Sequence, residues 1–399
     1  MRRERKEKHT RLNRIIAVSF CVGLVLASVA NALTPAVEFS ENENRSLAQL
    51  PAITADNILH GNGQKSFSEQ FDTYASDQFI GRSLFISAKA LLEKAVGKWE
   101  NNGVFFGKDN YLIQAPANDE ATIQKEAKNV ENNLAAIRQL ADSGQYQVTL
   151  MLAPTAYEIM QDKLPPYAYR DIQPKLYEQA ATALAGSTVQ LVDPRETIRS
   201  GDGRQLYYRT DHHWTTYGAY LGYTALGQAL NFTPMAESEF DIQVLSDEFY
   251  GTMWSKATLP DFPADTIEAY MPKSDIQFQM SFLGADQPQK GQPEGLYSYG
   301  YLETKDKYSV FLDGNHSLIR VDSTNQNGKT LLVVKDSYAH SLVPFLANHY
   351  QTIYLLDTRY SYSGLSDILT QYDIQAQEVL FLYNCENFMS DDTIARVAW

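Results

Sequence analysis

The clearest periodicity in the chain begins at Asp119, after which Ile123, Ala127, Val130, Leu134, Ile137 and Leu140 recur at steps of three and four residues. That spacing places them on one face of an amphipathic helix. The pattern then changes to a continuous apolar run over 148–153, stopped by Pro154, which reads as a buried strand. A helical stretch over 174–185 and a second short strand over 189–192 complete a strand-helix-strand unit, whose strands pair in parallel. Residues 217–230 are helical again, and the same rhythm closes the chain, with strands at 331–334, 353–356 and 379–383 and helices at 339–348 and 365–372. Five short apolar strands separated by helices predict an α/β fold with a doubly wound parallel sheet. In such sheets active residues gather beyond the carboxyl ends of the strands.

Two regions stand outside this rhythm. Residues 231–328 carry many aromatics, scattered Pro and Gly and short alternating stretches such as 276–280, and they read as an inserted β-rich or irregular subdomain. Residues 35–115 are irregular apart from a helix near 66–79, and read as a lead-in that wraps the core. The expected organisation is a basic tail at 1–14, an apolar segment at 15–34, the lead-in at 35–115, the first part of the α/β domain at 116–230, the insert at 231–328 and the second part at 329–399.

Arg2, Arg3, Arg5, Lys6, Lys8, Arg11 and Arg14 run directly into an uncharged, mostly apolar stretch over 15–32. A basic flank before an apolar span predicts a cytoplasmic tail, one membrane crossing and an extracytoplasmic body. Ala30-Asn31-Ala32 also has the small residues of a cleavage site. The segment is therefore expected to be an uncleaved anchor at the cell membrane or, if cut after Ala32, the signal of a secreted protein.

Beyond residue 35 the chain holds 27 basic against 46 acidic residues, a net of −19. A body this acidic is ill suited to binding nucleic acid. Tyr and Phe number 25 and 18, enough to stack on sugars, although packing uses the same side chains. The cysteines are Cys21, inside the apolar segment, and Cys385, so neither a disulfide within the body nor a cysteine-based metal site is expected.

Three polar clusters fall where the sheet rule directs attention: Thr210-Asp211-His212-His213-Trp214 before a helix, Lys335-Asp336-Ser337-Tyr338 after a strand, and Asn384 after the last strand. A serine on a strand-to-helix turn can present its hydroxyl at the sheet tip, a histidine in reach can take its proton, and a carboxylate can fix the histidine tautomer. Asp211 and His213 are two apart, so on an extended backbone they share a face and His212 points the other way. Each cluster also has a structural reading: Ser337 as a helix cap, Asn384 as a backbone partner at a strand end, Trp214 as packing with sugar stacking as the alternative. Asp211, His212 and His213 could together bind a metal, but adjacent histidines rarely converge on one ion, and no metal or other cofactor is expected.

The combination Thr210 to Trp214 with Lys335 to Tyr338 resembles the two signatures of the DHHW family. The lead-in Phe39-Ser40-Glu41-Asn42-Glu43-Asn44-Arg45, the Gly314-Asn315 pair and Asp357-Thr358-Arg359-Tyr360 are similar to that family as well. Its relatives are the SGNH-hydrolase-like proteins of alginate O-acetylation. The resemblance implies a three-layer α/β/α SGNH-like sheet, circularly permuted because the serine strand follows the histidine loop. It casts Asp211 as the orienting carboxylate, His213 as the base and Ser337 as the nucleophile, and it gives Asn384, Tyr338 and Arg359 oxyanion or substrate roles. The chain departs from the family pattern in lacking a Gly-Asp-Ser motif. The implied activity is an O-acyltransferase, with acetyl the expected group, acting on a cell-surface or exported polysaccharide, with an integral membrane acyltransferase as the partner that delivers the acyl group. An O-acetylesterase using the same residues, or a glycan-binding assembly protein, are the alternatives.

Overall fold

The computed structural model describes residues 2–398; the side chains of residues 1–11, and with them most of the expected basic tail, lie outside what is described. The chain divides into two compact units, residues 1–97 with 258–260, and residues 98–257 with 261–399.

The first unit opens with helix α1, Arg2–Leu33. Within it Leu12–Leu33 is 22 residues long with a mean hydropathy of 2.2 and none of it buried, long and apolar enough to cross a membrane. A two-residue ribbon (Phe39–Ser40 with Arg45–Ser46) leads to helices α2, Phe67–Asp77, and α3, Arg82–Ala95. Ser66 and Glu69 form a capping box that starts α2. The polar lead-in motif has a structural use here: the Arg45 guanidinium grips Asp77 at 2.6 and 3.0 Å, and Glu43 accepts from Arg82 at 2.6 Å. The hydrogen bonds from Arg45 hold the Asp77 carboxyl down at about 2 against the opposing effect of burial.

The second unit is built on a seven-stranded sheet. In chain order its strands are β1, Gln147–Ala153; β2, Gln190–Val192; β3, Phe278–Phe282; β4, Leu318–Ser323; β5, Thr330–Lys335; β6, Thr352–Leu356; and β7, Glu378–Asn384. Their spatial order is β3-β4-β6-β5-β7-β1-β2. The five strands read from the apolar runs are all parallel, while β3 and β4 extend one edge antiparallel. Alternation along the strands sends Leu331 and Val333 of β5 to one face and Leu332 and Val334 to the other. Helices α4, Glu120–Asp142, and α5, Ile172–Ala183, cover one face with Val130, Leu134, Ile137, Leu176 and Ala180. Helices α6, Thr216–Leu226, and α7, Ala339–Leu346, cover the other with Ala219, Tyr223, Leu342 and Phe345. The result is a three-layer α/β/α arrangement. Residues 231–328 hold a long ribbon, Phe240–Phe249 with Asp265–Pro272, besides the two antiparallel strands they give to the sheet.

Candidate active site

Strand β5 ends at Lys335, and the chain turns over Asp336, Ser337 and Tyr338 before α7 begins at Ala339. Asp336 shapes this turn. Its buried carboxylate accepts the Tyr338 N–H at 2.8 Å, the Asn384 N–H at 2.9 Å and the side-chain amides of Asn384 at 2.7 Å and Asn387 at 2.9 Å. Burial pushes the Asp336 carboxyl up, and the nearby Arg359 charge and these donors pull against it. Among the described residues no hydrogen bond takes the Ser337 backbone N–H, which stands as a donor at the tip of the strand.

The facing loop runs over 207–214, closed by a bridge between Tyr207 and Trp214 and by a Tyr208 N–H to His213 carbonyl bond of 3.2 Å. Its bend is held by Asp265, which accepts the Arg209 N–H (3.0 Å), the Thr210 N–H (2.7 Å) and the Thr210 hydroxyl (2.6 Å). Because the segment is bent and not extended, His212 does not point away as alternation suggested. Its ring lies 3.9 Å from that of His213 by centroids, with Nδ1 2.8 Å from Thr252 Oγ1.

Asp211, His213 and Ser337 meet in one chain of contacts. The His213 Nδ1–H donates to Asp211 Oδ1 at 2.6 Å, and the Ser337 hydroxyl lies 2.7 Å from His213 Nε2. The second carboxylate oxygen of Asp211 accepts the Thr252 N–H at 2.7 Å and hydroxyl at 3.0 Å. Burial works against the Asp211 charge, yet the two neighbouring imidazoles and these hydrogen bonds hold its carboxyl well below the usual range. Burial, reinforced by His213, pushes His212 down to about 3, so it is neutral at ordinary pH.

Tyr308 completes the enclosure, its ring stacked on His213 at 3.8 Å and 11°, its hydroxyl donating to the Ser337 carbonyl at 3.1 Å. A cleft at this point is lined by Thr155, Asp211, His212, Tyr338, Asn384 and Asn387.

The remaining sequence-derived candidates sit as follows. Asn384 lines the cleft, with its side-chain oxygen taken by the Asn387 N–H at 2.9 Å and an amide N–H on Asp336. Tyr338 is wholly buried and its hydroxyl donates to the His212 carbonyl. Trp214 is also wholly buried, its indole N–H shared by the Tyr338 carbonyl and Ser341 hydroxyl at 3.1 Å each, so it packs the loop and offers no face to a sugar. Arg359 is clamped on Asp357 at 2.6 and 2.8 Å. Asp211, His212 and His213 have ligand atoms within 4.8 Å of one another, but His213 gives both ring nitrogens to Asp211 and Ser337, an arrangement suited to proton transfer.

Residues 104–263 match a family model described as the SGNH hydrolase-like domain of acetyltransferase AlgX; this span holds Asp211 and His213 and ends before Ser337. The probable alginate O-acetylase AlgJ of Pseudomonas fluorescens is 23% identical over 227 residues, covering 55% of this chain and 53% of that protein. The probable alginate O-acetylase AlgJ of Pseudomonas syringae pv. tomato is 24% identical over 230 residues, with the same coverage of 55% and 53%. The chain thus spans about half the length of the curated relatives it matches. A DHHW family protein from Eubacterium siraeum superposes with a TM-score of 0.57 at 21% identity, over 74% of this chain and 95% of that one. Bacillus cereus PatB1 with a sulfonyl adduct gives 0.57 at 19% identity, over 73% and 97%. In fold this chain is similar to a DHHW family protein, and in sequence it resembles the SGNH-hydrolase-like proteins of alginate O-acetylation.

Proposed function

We propose that the chain is an extracytoplasmic O-acyltransferase, held to the membrane by α1, that moves acetyl groups onto a cell-surface or exported polysaccharide through Ser337, His213 and Asp211. The observation that carries this reading is the unbroken Asp211–His213–Ser337 contact chain at the carboxyl end of β5.

A serine hydroxyl is a weak nucleophile until a base removes its proton as it attacks. His213 Nε2 stands at hydrogen-bond distance for that transfer, and the imidazolium formed is stabilised by the buried Asp211 carboxylate. The Asp211 hydrogen bond also fixes Nδ1 as the protonated nitrogen, leaving Nε2 free to accept. Negative charge on the tetrahedral oxygen would fall near the Ser337 N–H, at the start of a helix, where a fixed donor is worth more than water. Collapse returns the proton from His213 to the departing group and leaves Ser337 acylated. In the second half His213 takes the proton of a glycan hydroxyl as that oxygen attacks the acyl-serine; the ester bond to Ser337 then breaks, His213 returns the proton to the Ser337 oxygen, and the glycan leaves acylated. Likeness to alginate O-acetylases supports a glycan as that acceptor. A membrane acyltransferase partner would supply the acyl group.

The test uses the purified chain in detergent with p-nitrophenyl acetate, alone and with acetyl-free oligosaccharides. Release of p-nitrophenol should vanish in Ser337→Ala, and acetylated oligosaccharide should appear with the unaltered chain. Activity surviving in Ser337→Ala refutes the serine assignment; release without any transfer to any glycan makes the chain an esterase.

A further inference from the structure

Helix α3 carries its large apolar side chains on the wrong side for a helix of a water-soluble protein. Leu84, Phe85, Leu91 and Leu92 are 72%, 63%, 47% and 68% exposed, and Val96 just beyond the helix is 84% exposed, whereas Ile86 and Ala90 on the opposite side are the covered positions. At 100° per residue Leu84, Phe85, Ala88, Leu91, Leu92 and Ala95 form one continuous stripe. Lys89 borders it on one side and Lys94 on the other. A contiguous apolar face on this scale marks an interaction surface.

The structure also says where this face is held. Asn31, two residues before the end of α1, accepts the Ile80 N–H through its side chain at 2.7 Å. The chain leaving α1 is stitched to the same corner: the Val37 N–H donates to Gln78 Oε1 at 2.9 Å, and the Gln78 amide donates to the Val37 carbonyl at 2.8 Å. Phe79 and Ile80, at the corner itself, are 45% and 41% exposed. The turn into α3 is thereby fixed within a hydrogen bond of the outer end of the apolar span, the level at which a bilayer passes from acyl chains to headgroups.

We infer that α3 is an interfacial helix, its Leu84–Leu92 face seated in the outer leaflet of the membrane that α1 crosses. The occupant is lipid, because the apolar stripe is joined through the exposed Phe79 and Ile80 corner to a span of which none is buried and which is apolar enough to cross a membrane. This inference rests on the anchored reading above. Its consequence for that reading is a first unit tethered to the membrane at two points, α1 and α3.

The experiment uses the full chain in liposomes of mixed zwitterionic and anionic lipid, with an environment-sensitive fluorophore on single cysteines; Cys385 is fully buried and stays. Label on native Cys21 reports the span. In a Cys21→Ser background, label on Leu92→Cys reports the face, and label on Lys128→Cys of α4, an exposed position, serves as the aqueous reference. The Leu92 label should shift to the blue, be quenched by lipids carrying a nitroxide near the headgroup, and resist aqueous iodide. Iodide quenching equal to that at Lys128, with the Cys21 label quenched by deep nitroxide lipids, overturns the interfacial helix and spares the anchor. A Cys21 label open to iodide overturns both. A Leu92 label shielded from iodide and from nitroxide lipid alike means that protein covers the face, and also overturns the proposal.

Discussion

Gly251 is the residue through which the triad can be tested without touching it. Its Cα lies so close to Asp211 that an added Cβ would stand 2.2 Å from Oδ2 and 2.3 Å from the Asp211 Cβ. Non-bonded carbon contacts settle at about 3.5–4.0 Å, so Gly251→Ala must open this gap by more than about 1 Å. The neighbouring backbone cannot yield freely, because the Gly251 N–H donates to Thr210 Oγ1 at 3.1 Å and the Thr252 N–H to Asp211. The carboxylate is the part that moves. A misplacement of about 1 Å costs on the order of 10²-fold in rate, and complete loss of tautomer control about 10⁴-fold. Overpacking of this kind costs about 1–3 kcal/mol of stability, which leaves a chain of this size folded. The expected outcome is therefore a fall of about 10²- to 10⁴-fold in kcat for p-nitrophenyl acetate, with a native circular dichroism spectrum and a small drop in Tm. Asp211→Asn should mask the effect, the double variant being no slower than Asp211→Asn alone, since both act through one hydrogen bond. A Gly251→Ala enzyme within about threefold of the parent, or additive losses in the double variant, would refute the reasoning.

Three further outcomes follow from the same geometry. Tyr308→Phe keeps the ring on His213 and loses the hydroxyl bonds to Ser337 and Ser341, costing about 1 kcal/mol in urea unfolding with kcat within about tenfold, whereas Tyr308→Ala removes the stack and should cost about 3–5 kcal/mol. Glu386 is pushed up to about 7 by burial and by Glu126; because its folded value lies above its unfolded one, stability falls as pH rises through that window. Glu386→Gln should then raise Tm relative to the parent at pH about 8, with a ceiling of about 3 kcal/mol, and show little gain near pH 5. Asp357→Asn takes the carboxylate from the fully buried Lys335, 3.4 Å away, and from Arg359; calorimetry should show a loss of about 3–5 kcal/mol.

The parallel strands were legible because each is a short apolar run with a helix on either side, whereas His213 was paired with Ser337 by the resemblance to the two DHHW signatures, each cluster alone also having a structural reading. The partners of the triad were not. Tyr308, Thr252 and Gly251 come from stretches with no periodicity, and only tertiary packing brings them to Asp211 and His213. Alternation misplaced His212 because Asp265, more than fifty residues downstream, bends the loop that sequence spacing treats as extended. Strands β3 and β4 lie in a region whose mixed pattern reads as irregular; as antiparallel strands at one side of the sheet they need no continuous apolar run. Trp214 reads equally as packing or as a sugar platform, and its indole hydrogen bonds decide for packing.

The last strand of the chain, β7, lies between β5 and β1 near the middle of the sheet. Synthesis proceeds from the amino end, so every earlier strand must wait with a gap at its centre until residue 384 has emerged. Asp336 receives its Asn384 and Asn387 partners only then. A nascent or truncated copy that stops before residue 384 therefore lacks the partners that set the turn carrying Ser337.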